Sequence, residues 1–219
     1  MQLIGCWPSP LALRVEWSLK LKGIEYEYIE EFEPRSSPLI MKYNPIHKQI
    51  PVLVHGGKPI PESLIILEYL DEISKENKLL PEDPYQRARA RFWAKFADDK
   101  IYPALVETFR KSGKELEEAV KEAGKTLKTL EQGLEGKKFF GGDSVGFVDI
   151  VAGWIAYWTP MIEEILGLKI IDENEAPALK KWFQDILDIP VLKQCLPPRE
   201  KLLSHLRGKR LELSGVGNQ

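Results

Sequence analysis

The sequence predicts two domains: a mixed α/β domain at the N-terminus and an all-helical domain after it. Strand-like and helix-like patterns alternate only in the first third of the 219-residue chain. A proline-containing segment, Leu79-Leu80-Pro81-Glu82-Asp83-Pro84, then interrupts both patterns, as is typical of a linker. Beyond it only helical periodicity remains. We therefore expect a first domain at 1–77, a linker at 78–84 and a helical domain at 85–219.

The N-terminal domain is predicted to begin with a strand and a helix. Leu3-Ile4-Gly5-Cys6 is a short apolar run of the kind found in buried strands. Apolar residues then recur at helical spacing, namely Leu11, Val15 and Leu19. Ser9 should cap this helix, because serine is a favoured N-cap and a proline, here Pro10, is favoured as the first helical residue.

Three further strand patterns and a helix complete the predicted domain. Residues 24–29 alternate apolar and charged side chains, which indicates a strand. Residues 50–54 and 57–60 form a predicted hairpin, and 62–74 is an amphipathic helix. This order is that of a thioredoxin-like α/β fold. We expect a cis peptide bond before Pro51, which opens a strand.

The second domain is predicted to be all helical. Five segments have helical length and periodicity: 85–111, 115–134, 147–166, 176–187 and 191–207. Residues 213–219 should form a loose tail.

The composition excludes several classes of function. Lysine plus arginine total 31 against 33 aspartate plus glutamate, giving a formal net charge of -2, so no basic surface for nucleic acid is expected. No segment approaches the roughly 20 apolar residues of a membrane span, and none has the pattern of a signal peptide. We expect a soluble, cytoplasmic protein that binds neither nucleic acid nor membranes.

The cysteines and histidines argue against disulfides and a metal site. Cys6 and Cys195 are the two cysteines, far apart in the chain, which fits a reducing compartment. The three histidines, His47, His55 and His205, form no spaced pair, so no zinc or other metal is expected.

Short motifs along the chain carry a resemblance to a known family. In the N-terminal half they are Trp7-Pro8-Ser9-Pro10, Tyr43-Asn44-Pro45-Ile46-His47-Lys48, Gly57-Lys58-Pro59-Ile60 and Glu62-Ser63-Leu64. Further along they are the linker through Tyr85, Arg91-Phe92-Trp93-Ala94, Phe139-Phe140-Gly141-Gly142-Asp143 and Gly146-Phe147-Val148-Asp149. In this order the set resembles the cytosolic glutathione transferases of the plant tau class. The resemblance covers nearly the whole chain and implies the glutathione transferase fold, glutathione as cosubstrate and no metal.

The resemblance implies a glutathione site in the N-terminal domain. Ser9 would stabilise the glutathione thiolate, and Ile50 and Pro51 would offer backbone groups to the cysteinyl part. Glu62 and Ser63, at a predicted helix start, would bind the γ-glutamyl group through its ammonium and its carboxylate.

Two glutathione-binding positions depart from the family pattern. Ser36 and Gln49 stand where tau-class members usually carry lysines that meet the glycyl carboxylate. Their sequence neighbours Arg35 and Lys48 could replace these lysines only in part, because Lys48 should point elsewhere on a strand-like segment. We therefore expect weaker glutathione affinity than in a member with both lysines.

Each of these residues also has a purely structural interpretation. A serine before proline at a helix start is most often only a cap. A proline at a strand start is common in turns, and Glu62-Ser63 is also an ordinary polar pair at a helix start.

The resemblance places a hydrophobic electrophile site in a cleft lined from both domains. The matching positions are Leu11, Tyr102, Val106, Phe109, Trp158 and His205. Three of them share one face of a helix by their spacing, and such an aromatic stripe is more often core than binding site.

The leading hypothesis is an enzyme that conjugates glutathione to hydrophobic electrophiles. Glutathione peroxidase or dehydroascorbate-type activity ranks lower, and peroxidase activity can accompany conjugation because it needs the same thiolate. Detoxification, secondary metabolism and transport are the roles open to such a protein. The alternative is a non-catalytic carrier of hydrophobic metabolites or glutathione conjugates. Thiol exchange of the glutaredoxin type is disfavoured, because Ser9 occupies the position where those enzymes place a cysteine and Cys6 lies within a strand. Family members are homodimers, with an interface expected at helices 62–74 and 85–111.

Overall fold

The computed structural model describes residues 1–172 and 174–214, which divide into two units. The first unit comprises Met1–Leu80 and Ile189–Pro197, and the second comprises Pro81–Asp188 and the residues from Pro198 onward. Residues 189–197, expected in the helical domain, belong to the first unit, and the boundary between Leu80 and Pro81 falls inside the expected linker at 78–84. The Trp17 indole Nε1, buried in that unit, donates to the Leu192 carbonyl over 3.0 Å.

A four-stranded mixed sheet organises the first unit. Its strands are β1 (Gln2–Gly5), β2 (Glu27–Glu30), β3 (Val52–His55) and β4 (Lys58–Pro61). They lie in the order β2-β1-β3-β4, with β1 parallel to β2 and antiparallel to β3, and β3 antiparallel to β4. The helices of this part are α1 (Pro10–Leu21), α2 (Pro38–Tyr43) and α3 (Ser63–Ile73).

Helices cover both faces of the sheet. One face packs α1 and α3 through the buried residues Leu3, Val15, Leu19, Leu53, Ile66 and Leu70. The other face packs α2 through Ile4, Ile40, Val52 and Val54. The two central strands, β1 and β3, are therefore almost entirely buried, whereas the edge strands β2 and β4 are partly exposed.

One strand and one helix of the first unit differ from the sequence prediction. The predicted strand at 24–29 is β2, which starts only at Glu27, because Ile24 N–H donates to the Leu19 carbonyl over 2.9 Å and extends the close of α1. The helix α2 was not predicted. Its N-cap is Ser37, whose Oγ accepts from Ile40 N–H over 3.3 Å, followed by Pro38 as first residue.

Helices make up the second unit. In chain order the remaining helices are α4 (Pro84–Phe96), α5 (Tyr102–Arg110), α6 (Gly113–Glu131), α7 (Phe147–Ala152), α8 (Trp154–Leu166), α9 (Pro177–Leu187), α10 (Pro190–Lys193) and α11 (Arg199–Ser214), of which α10 lies in the first unit. A π-helical turn, Ala97–Ile101, joins α4 to α5, and a 3₁₀ turn, Gln132–Leu134, ends α6.

The predicted single helix at 191–207 is wrong. Leu192 lies in α10 and Leu202 in α11, and Pro197-Pro198 separates the two helices. Proline lacks the amide hydrogen and clashes with the preceding turn, so it ends a helix. The predicted loose tail at 213–219 also begins too early, because α11 continues to Ser214; residues 215–219 lie outside the described residues.

The buried Asp149 fixes the start of α7. Its two carboxylate oxygens accept from the backbone N–H groups of Phe140, Gly141 and Gly146 and from the Trp182 indole at 2.7–3.0 Å. This one side chain therefore joins α7, α9 and the loop before α7.

Within the described ranges, 1–172 and 174–214, no helix is long and apolar enough to cross a bilayer.

Candidate functional site

The sheet brings four sequence-predicted segments to one of its ends. Ile4 pairs with Val52, and Val52 with Pro61. The chain that leaves β1 toward Ser9 therefore starts beside the chain that enters β3 from Pro51. The chain that leaves β4 into α3 starts there too, and β2, parallel to β1, ends at the same side before the Ser36 segment.

Ser9 caps α1 at the end of a tight turn. Its backbone N–H donates to the Cys6 carbonyl over 3.0 Å, and its Oγ accepts from Ala12 N–H over 3.2 Å. The first turn of α1, described in full, contains no acidic residue. Ser9 thus places a hydroxyl, half-exposed, at the positive end of a helix.

The predicted cis peptide bond between Ile50 and Pro51 is confirmed. The turn before it is held by the buried Asn44, whose Nδ2 donates to the Gln49 carbonyl over 3.0 Å and whose Oδ1 accepts from His47 N–H over 3.3 Å. The turn lies at 45–47, and the strand expected from residue 50 begins only at Val52, as β3.

Glu62 and Ser63 form the start of α3. Glu62 adopts φ 70°, ψ 111°, a region that non-glycine residues rarely occupy. Its Oε1 lies 2.6 Å from His47 Nδ1, and both side chains are about half exposed. The Ser63 hydroxyl is buried and accepts a hydrogen bond from Arg14 Nη2 of α1.

The two departures from the tau pattern are surface residues. Ser36 is exposed, and its Oγ donates to the Glu33 carbonyl over 3.2 Å. The Gln49 side chain is also exposed. Neither supplies positive charge near the end of the sheet.

Both cysteine thiols have raised pKa values. Burial raises the pKa of Cys6 to about 11, and the Glu30 carboxylate adds to this while the Ser9 N–H opposes it. Burial, together with Glu16, raises the pKa of Cys195 to about 11. Since the thiolate is the nucleophile, neither thiol is suited to exchange chemistry near neutral pH.

The predicted electrophile residues differ in exposure. Leu11, in α1, is half-exposed, as are Tyr102 and Val106 in α5 and His205 in α11. Phe109 and Trp158 are core residues, only 6% and 3% exposed. Burial lowers the pKa of His205, and Lys209 adds to this while Glu212 opposes it.

Within the second unit, Trp154 links two of the predicted residues. Its ring makes edge contacts with Tyr102 at 5.7 Å and with Trp158 at 6.2 Å between centroids. Such T-shaped pairs are favourable arrangements of aromatic rings. The sequence reading missed Trp154, although it precedes Trp158 by one helical turn.

Sequence reasoning also missed four polar partners in the first unit: Arg14, Glu30, Asn44 and His47. The contacts of Arg14, Glu30 and His47 join segments that are distant in sequence, such as Arg14 with Ser63, 49 residues apart, whereas those of Asn44 stay within its own turn. Asn44 and His47 belong to one of the motifs that carry the resemblance, but the residue types of Arg14 and Glu30 gave no signal, because both are also common on protein surfaces.

Comparison with known proteins gives a consistent family assignment. The family profile described as glutathione S-transferase, N-terminal domain, matches residues 1–72, and the corresponding C-terminal domain profile matches 92–190. Glutathione transferase GST 23 of Zea mays is 49% identical over 214 residues, covering 97% of this chain and 96% of that protein. Glutathione S-transferase U7 of Arabidopsis thaliana is 44% identical, covering 98% and 94%.

Solved structures agree. The tau-class glutathione S-transferase of mango, Mangifera indica, superposes with a TM-score of 0.89 at 40% identity, covering 95% of this chain and 97% of that one. Rice GST1, solved in complex with glutathione, superposes with a TM-score of 0.90 at 34% identity, covering 96% of both chains. The chain belongs to the glutathione S-transferase family and, within it, to the plant tau class. The predicted fold, a thioredoxin-like α/β domain followed by helices, is thereby confirmed.

Proposed function

We propose that this chain conjugates the thiolate of glutathione to hydrophobic electrophiles and that Ser9 stabilises the thiolate. Family membership supports the transferase activity, and the rice relative with bound glutathione supports the cosubstrate. The observation that carries the serine assignment is the position of Ser9. It caps α1 at the end of the sheet where Pro51 and Ser63 also lie.

The capping bond and the proposed chemistry are compatible. A hydroxyl has one proton to donate and two lone pairs to accept with. The Ala12 N–H uses one lone pair of Ser9 Oγ, which leaves the proton available to donate to a thiolate. The structural interpretation of Ser9 as a cap therefore does not compete with the catalytic one.

The energies are sufficient for catalysis without a general base. A free thiol has a pKa of roughly 8.5. A hydrogen bond to a charged group contributes about 1.5–3 kcal/mol, and a helix N-terminus about 0.3–1 kcal/mol. Together they lower the thiol pKa by about one to three units at 1.36 kcal/mol per unit. A large fraction of bound glutathione would then be thiolate near neutral pH.

The remaining glutathione contacts are proposed from the same end of the sheet. Ile50 and Pro51 would pair with the cysteinyl backbone like an added strand. Ser63 would donate to the γ-glutamyl carboxylate, because Arg14 donates to its oxygen and leaves its proton free to donate. Glu62 would accept from the ammonium through the oxygen that does not face His47. Ser36 and Gln49 would meet the glycyl carboxylate only as neutral groups.

The decisive experiment is a pH titration of glutathione bound to the protein, followed by the ultraviolet absorbance of the thiolate. We expect a pKa below that of free glutathione in the wild type and a return toward the free value in Ser9→Ala. Ser37→Ala is the matched control, because Ser37 caps α2 before a proline in the same way. A Ser9→Ala protein that titrates like the wild type contradicts the serine mechanism.

A carrier of hydrophobic metabolites or conjugates is the second candidate. The neutral, exposed Ser36 and Gln49 favour it, because weak capture of glutathione would limit turnover. The apolar and aromatic positions Leu11, Tyr102, Val106, Phe109, Trp158 and His205 are proposed to contribute to the hydrophobic site in either case. A hydrophobic dye that binds tightly to a protein whose bound glutathione titrates as a free thiol would favour the carrier.

Peroxidase activity is proposed to accompany conjugation. The thiolate attacks the terminal hydroperoxide oxygen and the O–O bond breaks, which gives glutathione sulfenic acid and an alkoxide that takes up a proton from water and leaves as the alcohol. The thiol of a second glutathione then condenses with the sulfenic acid to give glutathione disulfide and water. Because the first step uses the same thiolate, Ser9→Ala should lower peroxidase and conjugation rates by the same factor, measured with a lipid-type hydroperoxide.

Domain roles, assembly and location complete the proposal. Residues 1–77 would carry the glutathione site and 85–219 most of the electrophile site.

Exposed apolar side chains on α3 and α4, such as Ile65 at 57% and Phe92 at 61%, support a homodimer. Light scattering should give twice the chain mass, and Phe92→Glu should reduce it to the chain mass. A cytoplasmic location is testable with a fluorescent fusion.

A further inference from the structure

A carboxylate at the end of β2 is bonded to the turn that carries Ser9. Glu30 is the last residue of β2 and pairs in register with Gly5, the last residue of β1. Its Oε1 accepts from the backbone N–H of Trp7 over 2.8 Å. Trp7 is the second residue of the four-residue turn Cys6-Trp7-Pro8-Ser9, which the Ser9 N–H closes onto the Cys6 carbonyl over 3.0 Å.

These two hydrogen bonds fix the turn in different ways. The bond from Ser9 to Cys6 is internal to the turn and fixes its curvature. The bond from Trp7 to Glu30 anchors it to the neighbouring strand and therefore fixes its orientation relative to the sheet. Because one partner is ionised, this second bond belongs to the stronger class of hydrogen bonds.

From this geometry we propose that Glu30 is a positioning residue of the transferase, which holds the Ser9 hydroxyl at the place where the glutathione sulfur binds. The inference rests on the proposed role of Ser9. Glu30 acts as a hydrogen-bond acceptor and touches neither substrate nor reacting atoms. The negative charge of Glu30 opposes formation of the glutathione thiolate, since an anion close to the turn disfavours a second anion there.

The pKa values of neighbouring groups show this unfavourable effect of the Glu30 charge. Burial is the first cause of the raised pKa values of Cys6, Tyr28 and Glu16, and the Glu30 carboxylate raises all three further. A residue kept at this position for its charge would therefore oppose thiolate formation. The hydrogen bond to Trp7 is the contribution that favours it.

Two substitutions separate the hydrogen bond from the charge. Glu30→Gln removes the charge and retains the oxygen acceptor, whereas Glu30→Leu removes both. A role in charge alone would move the pKa of bound glutathione in the same direction in both variants, downward. A positioning role predicts opposite results. The thiol pKa in Glu30→Leu rises by about one unit, equivalent to about a tenfold smaller thiolate fraction below the pKa. In Glu30→Gln it stays at or below the wild-type value.

Glu27→Leu is the matched control. Glu27 lies on the same strand, is also exposed, and accepts one hydrogen bond from Gln2 of β1 over 2.8 Å, at the opposite end from Ser9. We expect it to titrate like the wild type. For all variants, the thiolate absorbance of bound glutathione and the pH profile of kcat/KM with a chromogenic aryl halide are measured. In Glu30→Leu we expect kcat to fall while the KM for glutathione stays nearly constant.

The inference is overturned if Glu30→Leu titrates like the wild type, if Glu30→Gln rises as far as Glu30→Leu, or if Glu27→Leu rises equally. Ser9→Ala, measured in parallel, distinguishes this from failure of the serine mechanism. If Ser9→Ala shifts the thiol pKa and Glu30→Leu does not, only the role of Glu30 is lost. If Ser9→Ala has no effect, the proposed function itself is lost.

Discussion

Glu62 serves two partners in the proposed glutathione complex. His47 lies 2.6 Å from one of its oxygens, and the other is available for the γ-glutamyl ammonium. Exposed ion pairs contribute about 0–1 kcal/mol, so the His47 contact orients the carboxylate only weakly.

We predict that Glu62→Gln weakens glutathione binding by roughly tenfold, because a hydrogen bond to a charged group contributes about 1.5–3 kcal/mol and an amide oxygen retains part of it. His47→Gln should change the affinity less than about threefold. Calorimetric titration with glutathione measures both. Equal losses in the two variants would show that the pair, rather than Glu62 itself, supports the ligand.

Adding the two lysines should strengthen binding of the glycyl carboxylate. Ser36→Lys and Gln49→Lys each place a cation at an exposed position, where a pair contributes about 0.2–1 kcal/mol. We therefore expect the dissociation constant to fall by up to about fivefold for each, less at high salt. Gln86→Lys, on exposed α4 surface, is the control for added charge. An unchanged dissociation constant in both variants argues against this role.

At the level of elements, Asp71 joins α3 to two other segments. One oxygen of this buried carboxylate accepts from Lys22 Nζ and from Leu79 N–H, both at 2.7 Å, and the other accepts from Leu80 N–H at 3.1 Å. It thus holds the end of α1 and the start of the linker against α3. Removing one partner of a buried pair leaves the other charge uncompensated.

Asp71→Ala should therefore lower the free energy of unfolding by about 3–5 kcal/mol, measured by urea denaturation. Asp185→Ala, which breaks the i,i+4 surface pair with Lys181 on α9, should lower it by about 0.5 kcal/mol or less. Similar losses in the two variants would mean that Asp71 is not a special link between the elements.

The elements also show what the sequence could and could not predict. Ser9-Pro10 and the alternating or apolar runs indicate α1 and the strands, since the signals are local. The six-residue α2 is too short to show a helical period. The helix predicted at 191–207 failed because its apolar spacing continues across Pro197-Pro198, where the local breaker outweighs the period.

At the scale of the molecule, the sequence predicted which segments form the candidate site, but not which residues hold these segments in place. Ser9, Pro51 and Ser63 carry motif signals. The groups that hold them, Arg14 and Glu30, do not, because their bonds bridge 49 and 23 residues. Only the folded sheet brings these segments to one end.

Alkaline pH is expected to destabilise the fold. Burial raises the pKa values of Cys6 and Cys195 to about 11 and those of Tyr26 and Tyr28 further above their ordinary value. The unfolded chain loses these protons first, so above about pH 9 it binds fewer protons than the native state and the free energy of unfolding falls as pH rises. It is unaffected by these groups below their unfolded pKa values.

Urea denaturation at pH 7.5, 9 and 10.5 measures this slope. A Cys6→Ser, Cys195→Ser double variant should show a shallower decrease between pH 9 and 10.5, because two of the four groups no longer titrate. At pH 7.5 the wild-type thiols should react slowly with iodoacetamide, as detected by mass spectrometry. Rapid alkylation of either cysteine would contradict the raised pKa values.

The bond between Trp17 and Leu192 has a consequence for biosynthesis. A ribosome releases the chain from its N-terminus, yet the first unit contains a segment, 189–197, that is made after most of the second unit. The Trp17 indole, 1% exposed in the finished protein, lacks its carbonyl acceptor until Leu192 has emerged. The unit that carries Ser9 is therefore begun before the second unit and completed only after residues 81–188 of the second unit have been made.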